Sequence, residues 1–219
     1  MTMSLAQPLI AEGRAKRSRS EGETSGRVGP NAAIQLLRVL PLAAEPETVL
    51  RILVTAGVLD WAIHPPTDMV EERSVAALHR ATRKILHLEE GLAVLAEAGG
   101  LTGDYILANR IPGWARAALK ALPARISSRL LAKAITAHAW TFVGSGRFAC
   151  CFANGLTFEI WSNPFCVGER SDSPICAWHA AVFQRLYQAL ASPRARVVET
   201  HCSARGDACC RFAVNGIRK

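Results

Sequence analysis

Four residues in the last quarter of the chain have the types and spacing to hold one metal ion: Cys176, Glu199, Cys202 and Cys210. Thiolates and a carboxylate suit a borderline-soft divalent cation, and zinc is the usual occupant of closed four-ligand sites. Glu199 and Cys202 lie three residues apart, and Cys202 and Cys210 bracket a Ser-Ala-Arg-Gly-Asp turn able to bring both sulfurs to one point. Cys176 follows Ser173 and Pro174 at the expected start of a helix, where the helix N-terminus favours a thiolate. Strand alternation selects Cys210 over Cys209, because Cys210, Phe212 and Val214 share the apolar face of CCRFAV. The same alternation would point Glu199 and Cys202 opposite ways, so their strand must end or bulge near Thr200. Four anionic ligands on a divalent ion predict a structural, closed centre. On residue types alone, three buried reduced cysteines and a surface glutamate remain the alternative, because the chain has no C-x-x-C pair.

These residues need a frame. NAAIQLLRVL and PETVLRILVTAG read as helices, the second with Pro46 near its start. From Asp68 to Ala98, Val75, Leu78, Ile85, Leu88, Leu92 and Leu95 recur at helical spacing, and Gly99, Gly100 and Gly103 are expected to end that run. Pro112 and Pro123 punctuate two further helices, the second reaching about Phe142 and carrying Arg125, Arg129 and Lys133 along one side. The period then switches. RFACCFA and LTFEIW around Asn154-Gly155 predict a two-residue hairpin. Pairing Ala153 with Leu156 puts Phe148, Phe152 and Trp161 on one aromatic face, a composition suited to a ligand wall or to an ordinary half-exposed sheet. A loop with Pro164, Cys166 and Gly168 leads to the Cys176 helix and two last strands. The expected fold is therefore α+β: N-terminal helices, then an antiparallel sheet of about four strands with one inserted helix.

Of 219 residues, 50% are hydrophobic, enough for one compact domain, here expected over 31–219. Residues 1–30, rich in Gly, Ser, Glu and Arg, read as a disordered tail. Seven cysteines, an odd number, argue against a secreted disulfide framework and for a reducing, cytoplasmic setting. The formal charge is +8, and no Asp or Glu lies between Asp104 and Glu159 while seven Lys or Arg do. Such a stretch is either a solvated helix face or a seat for an anionic partner: a ligand carboxylate, lipid headgroups or an acidic protein. Gly144-Ser145-Gly146-Arg147-Phe148-Ala149 matches a loose dinucleotide fingerprint, but a helix before it and a hairpin after it are the wrong setting. Nucleic acid is not among the expected partners, and no transmembrane span is expected.

The run ETHCSARGDACCRF, preceded by CAWHAAVFQRL, resembles the signature of the vinyl reductase domain family over roughly residues 150–216. That family includes small-molecule-binding modules of bacteriochlorophyll synthesis and of phenol-responsive regulators. The resemblance implies the ligand-binding fold shared with vesicle-tethering and nitric-oxide-signalling proteins, with a homodimer through the helical face. Phenol sensors of the family hold zinc with a Cys, Glu, Cys, Cys set, a pattern on which Cys176, Glu199, Cys202 and Cys210 fall. It further implies a Mg-tetrapyrrole, such as a Mg-porphyrin intermediate, as ligand or substrate. The aromatic residues Phe148, Phe152 and Trp161 would hold the macrocycle, Arg125 and Arg129 its propionate, and His138 would offer an axial imidazole. The protein would carry this intermediate to synthesis enzymes such as Mg-chelatase or the following methyltransferase, peripheral to the photosynthetic membrane. The alternatives are a vinyl reductase acting on a divinyl intermediate, for which no seat for a hydride donor is evident, and a scaffold that docks pathway enzymes.

Overall fold

The computed structural model describes residues 26–153 and 155–217. Helices lead and a sheet follows, the α+β order expected from the sequence. The helices are α1 (Asn31–Ala43), α2 (Pro46–Ala56), α3 (Glu72–Ile85), α4 (Leu88–Asn109), α5 (Gly113–Ala121), α6 (Ala124–Ala137), α7 (Trp140–Val143) and α8 (Ala177–Leu190). Two short strands, β1 (Arg27–Val28) and β2 (Val70–Glu71), pair with each other. The main sheet comprises β3 (Arg147–Cys151), β4 (Leu156–Trp161), β5 (Arg196–His201) and β6 (Cys210–Asn215), antiparallel throughout in the order β3-β4-β6-β5. Helix α8 is the inserted helix, between β4 and β5.

The sheet turns one face to α8. Leu156, Phe158, Ile160, Cys210, Phe212 and Val214 alternate inward and are buried, as period-2 sequence requires. They meet Val182, Phe183, Leu186, Tyr187 and Leu190 of α8, with Phe158 and Phe183 ring centres 4.8 Å apart. Each such side chain, fully removed from water, stabilises the fold by roughly 1.5–3 kcal/mol. The other side of α8 packs on α4, and α4 packs in turn on α1. The core is therefore sandwiched around one helix.

Three expectations about the frame are corrected. Gly99, Gly100 and Gly103 do not end a helix; they lie inside α4, and the chain breaks earlier, at Leu86–His87, where His87 takes φ 63. The glycines are needed for close approach: a Cβ at Gly99 would come within 2.9 Å of Ala181 Cβ, and one at Gly103 within 2.7 Å of Arg185 Cβ, both on α8. The tail ends sooner than residue 30. Val28 is fully buried in β1, Gly29 N–H donates to Thr141 O at 2.7 Å, and the Glu72 carboxylate accepts from Gly26 N–H and Ser145 N–H. Residues 1–25, the rest of that expected tail, lie outside the described residues, as does Asn154 of the expected turn.

The third correction is the hairpin register. Phe148 pairs with Ile160 and Cys150 with Phe158, one residue away from the register expected. A one-residue slip exchanges the faces of one strand against the other. Phe148 thus shares the α8-facing side with Phe158 and Ile160, while Trp161 faces the opposite way, opposite Arg147.

Candidate metal centre and ligand surface

Four sulfurs meet where three segments converge. Cys166 ends a 3-10 turn at Pro164–Cys166, Cys176 caps the N-terminus of α8, Cys202 follows β5, and Cys210 opens β6. All four are buried, and all four sulfur atoms lie within 4.8 Å of one another. The separations include 3.0 Å for Cys166–Cys176, 3.6 Å for Cys166–Cys210 and Cys176–Cys210, and 3.8 Å for Cys166–Cys202. A tetrahedral ion with metal–sulfur bonds of about 2.3 Å sets its ligands about 3.8 Å apart, so the group is the size of a four-thiolate zinc site.

Local sequence explains each position. Prolines at 164 and 174 fix the approaches to Cys166 and Cys176. The strand carrying Glu199 does break, as alternation requires: the β5–β6 register shifts between Glu199 and His201. The turn after Cys202 is closed by Asp207, whose carboxylate accepts from Cys202 N–H at 2.8 Å. Its Arg205 and Asp207 N–H groups donate to Cys202 O. The Cys166 turn is fastened from outside. Buried Arg83 of α3 donates to Phe165 O at 3.2 Å and pairs with Glu169.

Donors surround the sulfurs. Buried Asn163 directs its amide at Cys176 Sγ (3.3 Å) and Cys210 Sγ (3.5 Å), and Ser203 N–H points to Cys210 Sγ at 3.4 Å. Such N–H donors favour the thiolate over the thiol. Hydrogen bonding from Cys166, then from Cys176, draws Cys202 down to about 6, and Cys210 is lowered by the same sulfur partners in the same order. Burial raises Cys176. A cation at the centre would remove that conflict by accepting all four as thiolates.

Glu199 stands at the rim. Its Oε2 accepts the Cys176 N–H at 2.7 Å, and its buried Oε1 has no hydrogen-bond partner. Burial, with Cys202 next, pushes its carboxyl up to about 9. The expected set of Cys176, Glu199, Cys202 and Cys210 is thus brought together, with Cys166 added from a loop the sequence marked only by Pro164 and Gly168. Cys209 is buried but stands outside the sulfur group.

The expected ligand residues are dispersed. Phe148 is half-buried in an aromatic interior, against Phe142 (5.4 Å), Phe158 (5.5 Å) and Phe183 (6.2 Å). Phe152 is exposed, with the Arg129 guanidinium 5.9 Å from its ring centre. Trp161 is half-buried on the opposite face under Arg147, at 4.2 Å. Arg125 and His138 are exposed on and just after α6. Sequence reasoning passed over His179 as a ligand contact. It is buried among Phe142, Phe165, Trp178, Phe183 and Phe212, and neither ring nitrogen has a well-formed hydrogen bond; nor has the indole nitrogen of Trp178. Burial lowers His179 to about 4, so the ring is neutral and one nitrogen is a free acceptor.

Comparison with known proteins returns the vinyl reductase (V-4-R) domain over residues 156–215, the span that contains α8 and three of the four sulfurs' segments together with the Cys166 turn. The chain is 49% identical over 186 residues to the bacteriochlorophyll synthase 23 kDa chain of Cereibacter sphaeroides, covering 85% of this chain and 89% of that one. It is 43% identical over 193 residues to the protein of the same name from Rhodobacter capsulatus, covering 86% and 87%.

Proposed function

The chain belongs to the vinyl reductase domain family, and on that premise we propose that it serves bacteriochlorophyll synthesis by binding a Mg-tetrapyrrole intermediate and presenting it to the pathway's enzymes. The observation that carries the pathway is the similarity along 85% of the chain to a protein named for bacteriochlorophyll synthesis. Two features support a pigment-handling role. Phe152 offers an exposed aromatic face beside Arg129, one turn from Arg125, where a flat macrocycle and its propionate find complementary partners. The unbonded nitrogens of His179 and Trp178 lie inside an aromatic chamber, where a ligand would supply the missing hydrogen bond or coordination.

The scaffold is fastened by a structural zinc ion held by Cys166, Cys176, Cys202 and Cys210. When bound, the ion would neutralise the thiolates and cross-link the 3-10 turn, the start of α8 and the β5–β6 turn. Asn163 and Ser203 hold the sulfurs in position by N–H donation. Four protein sulfurs leave no open coordination position, so the centre shapes the domain rather than the reaction.

The test is a titration of the purified protein with a Mg-porphyrin, with and without NADPH. Saturable binding at micromolar or better affinity is expected, weakened by Phe152→Ala and by Arg129→Glu, with no change in the pigment's vinyl group. Accumulation of a monovinyl product with NADPH as the sole addition would make the protein a vinyl reductase and refute the carrier reading.

A further inference from the structure

The corner formed by α5 and α6 carries charge and apolar groups that neither the sulfur centre nor the aromatic interior uses. The stretch from Tyr105 to Phe158 holds seven of the chain's 26 Lys and Arg and none of its 18 Asp and Glu. The other residues hold 19 Lys and Arg against 18 Asp and Glu, so nearly the whole net charge of +8 resides here. Among the described residues none of these seven cations makes an ion pair.

Helix α6 has two unlike sides. Leu131, Ala132 and Ile135 are buried, and Ser128 O accepts the Tyr187 hydroxyl of α8 at 2.9 Å, which fixes the inner side. The 3.6-residue period puts Ile126, Leu130 and Lys133 together on the outer side, with Arg125 and Arg129 along one edge. Ile126 and Leu130 are 48% and 47% exposed. Trp114, in the first turn of α5, is 77% exposed, and Trp140, just after α6, is 60% exposed. Ser127 Oγ donates to Leu119 O at 2.5 Å, which locks α5 against α6 and makes one body of the corner.

Bulky apolar side chains exposed among unpaired cations need a partner that is both anionic and apolar. Tryptophan with Lys and Arg is the composition that settles at a membrane–water interface, the indoles at headgroup depth and the cations on anionic headgroups. A protein partner fits less well, because protein interfaces are depleted in Lys, and Lys120 and Lys133 both stand exposed here. We propose that the α5–α6 corner is a docking surface for an anionic lipid bilayer, on which the protein lies without crossing it. No helix among the described residues is long and apolar enough to cross a membrane.

The experiment is flotation of the full chain, without pigment, on vesicles of phosphatidylcholine alone and of phosphatidylcholine with phosphatidylglycerol. The protein should float with the anionic vesicles only, and added salt should release it. Lys120→Glu with Lys133→Glu should weaken partitioning at least tenfold, as should Trp114→Ala with Ile126→Ser and Leu130→Ser. All five positions face outward, so each variant should keep the wild-type melting temperature and metal content, which separates lost docking from lost fold. Equal binding to both vesicle types, binding to neither, or binding indifferent to both variants would overturn the proposal. So would capture of an acidic protein by this face without any partitioning into anionic vesicles.

Discussion

Cys166→Ser is the sharpest probe of the sulfur centre, because the residue is absent from the ligand set that sequence implies. Cys166 Sγ lies 3.0, 3.6 and 3.8 Å from Cys176, Cys210 and Cys202, the spacing expected around one ion. Structural zinc sites of four ligands bind with about 10–16 kcal/mol, so one thiolate is worth about 3 kcal/mol, or about a hundredfold in affinity. Glu199→Gln should behave differently. Its carboxyl is held up to about 9 and so is largely protonated at neutral pH, and Gln retains an oxygen for the Cys176 N–H. Zinc affinity should then change by no more than about threefold, with a stability cost of about 1 kcal/mol or less. Competition of the zinc protein against a chromophoric chelator measures both affinities. Cobalt substitution adds a sulfur-to-metal charge-transfer band whose intensity follows the thiolate count. Cys209→Ser should leave metal and band unchanged. If Cys166→Ser keeps wild-type affinity while Glu199→Gln loses the metal, the carboxylate is the fourth ligand and the size argument fails.

Three further expectations follow from packing and burial. Gly99→Ala should destabilise by about 1–3 kcal/mol, because the new methyl meets Ala181, whereas Gly100→Ala, with nothing within 4 Å, should stabilise by up to about 1 kcal/mol; chemical denaturation compares them. Val28→Ala should cost about 2 kcal/mol in the same assay, since the side chain is fully buried in β1; no loss would return that strand to the tail. Burial lowers His79 from 6.5 to about 3, against the hydrogen bond to Ala32 O, so the unfolded chain takes up a proton that the folded chain refuses. That stability is present above about pH 6.5 and is lost as pH falls toward 3, by up to about 1.4 kcal/mol per unit, and the acid slope of His79→Leu should be shallower.

What the sequence determined by itself was what short-range periodicity encodes. Alternation in CCRFAV placed Cys210 inward and Cys209 out of the group, the same alternation required the bulge found between Glu199 and His201, and Pro174 before Cys176 marked the start of α8. The α+β order followed from the switch of period near residue 147. Tertiary structure decided whatever depended on a distant neighbour. Gly99 and Gly103 signal a break locally, yet they continue α4 because α8 lies too close for a side chain. The hairpin slipped by one residue because that register buries Phe148, Phe158 and Ile160 together against α8, leaving Trp161 to the far face. Cys166 carries no ligand spacing of its own; it joins the sulfurs because Arg83, more than eighty residues away in sequence, holds its turn through Phe165 and Glu169. A metal site assembled from three segments is written in the sequence only as residue types, and their convergence is a property of the packed chain.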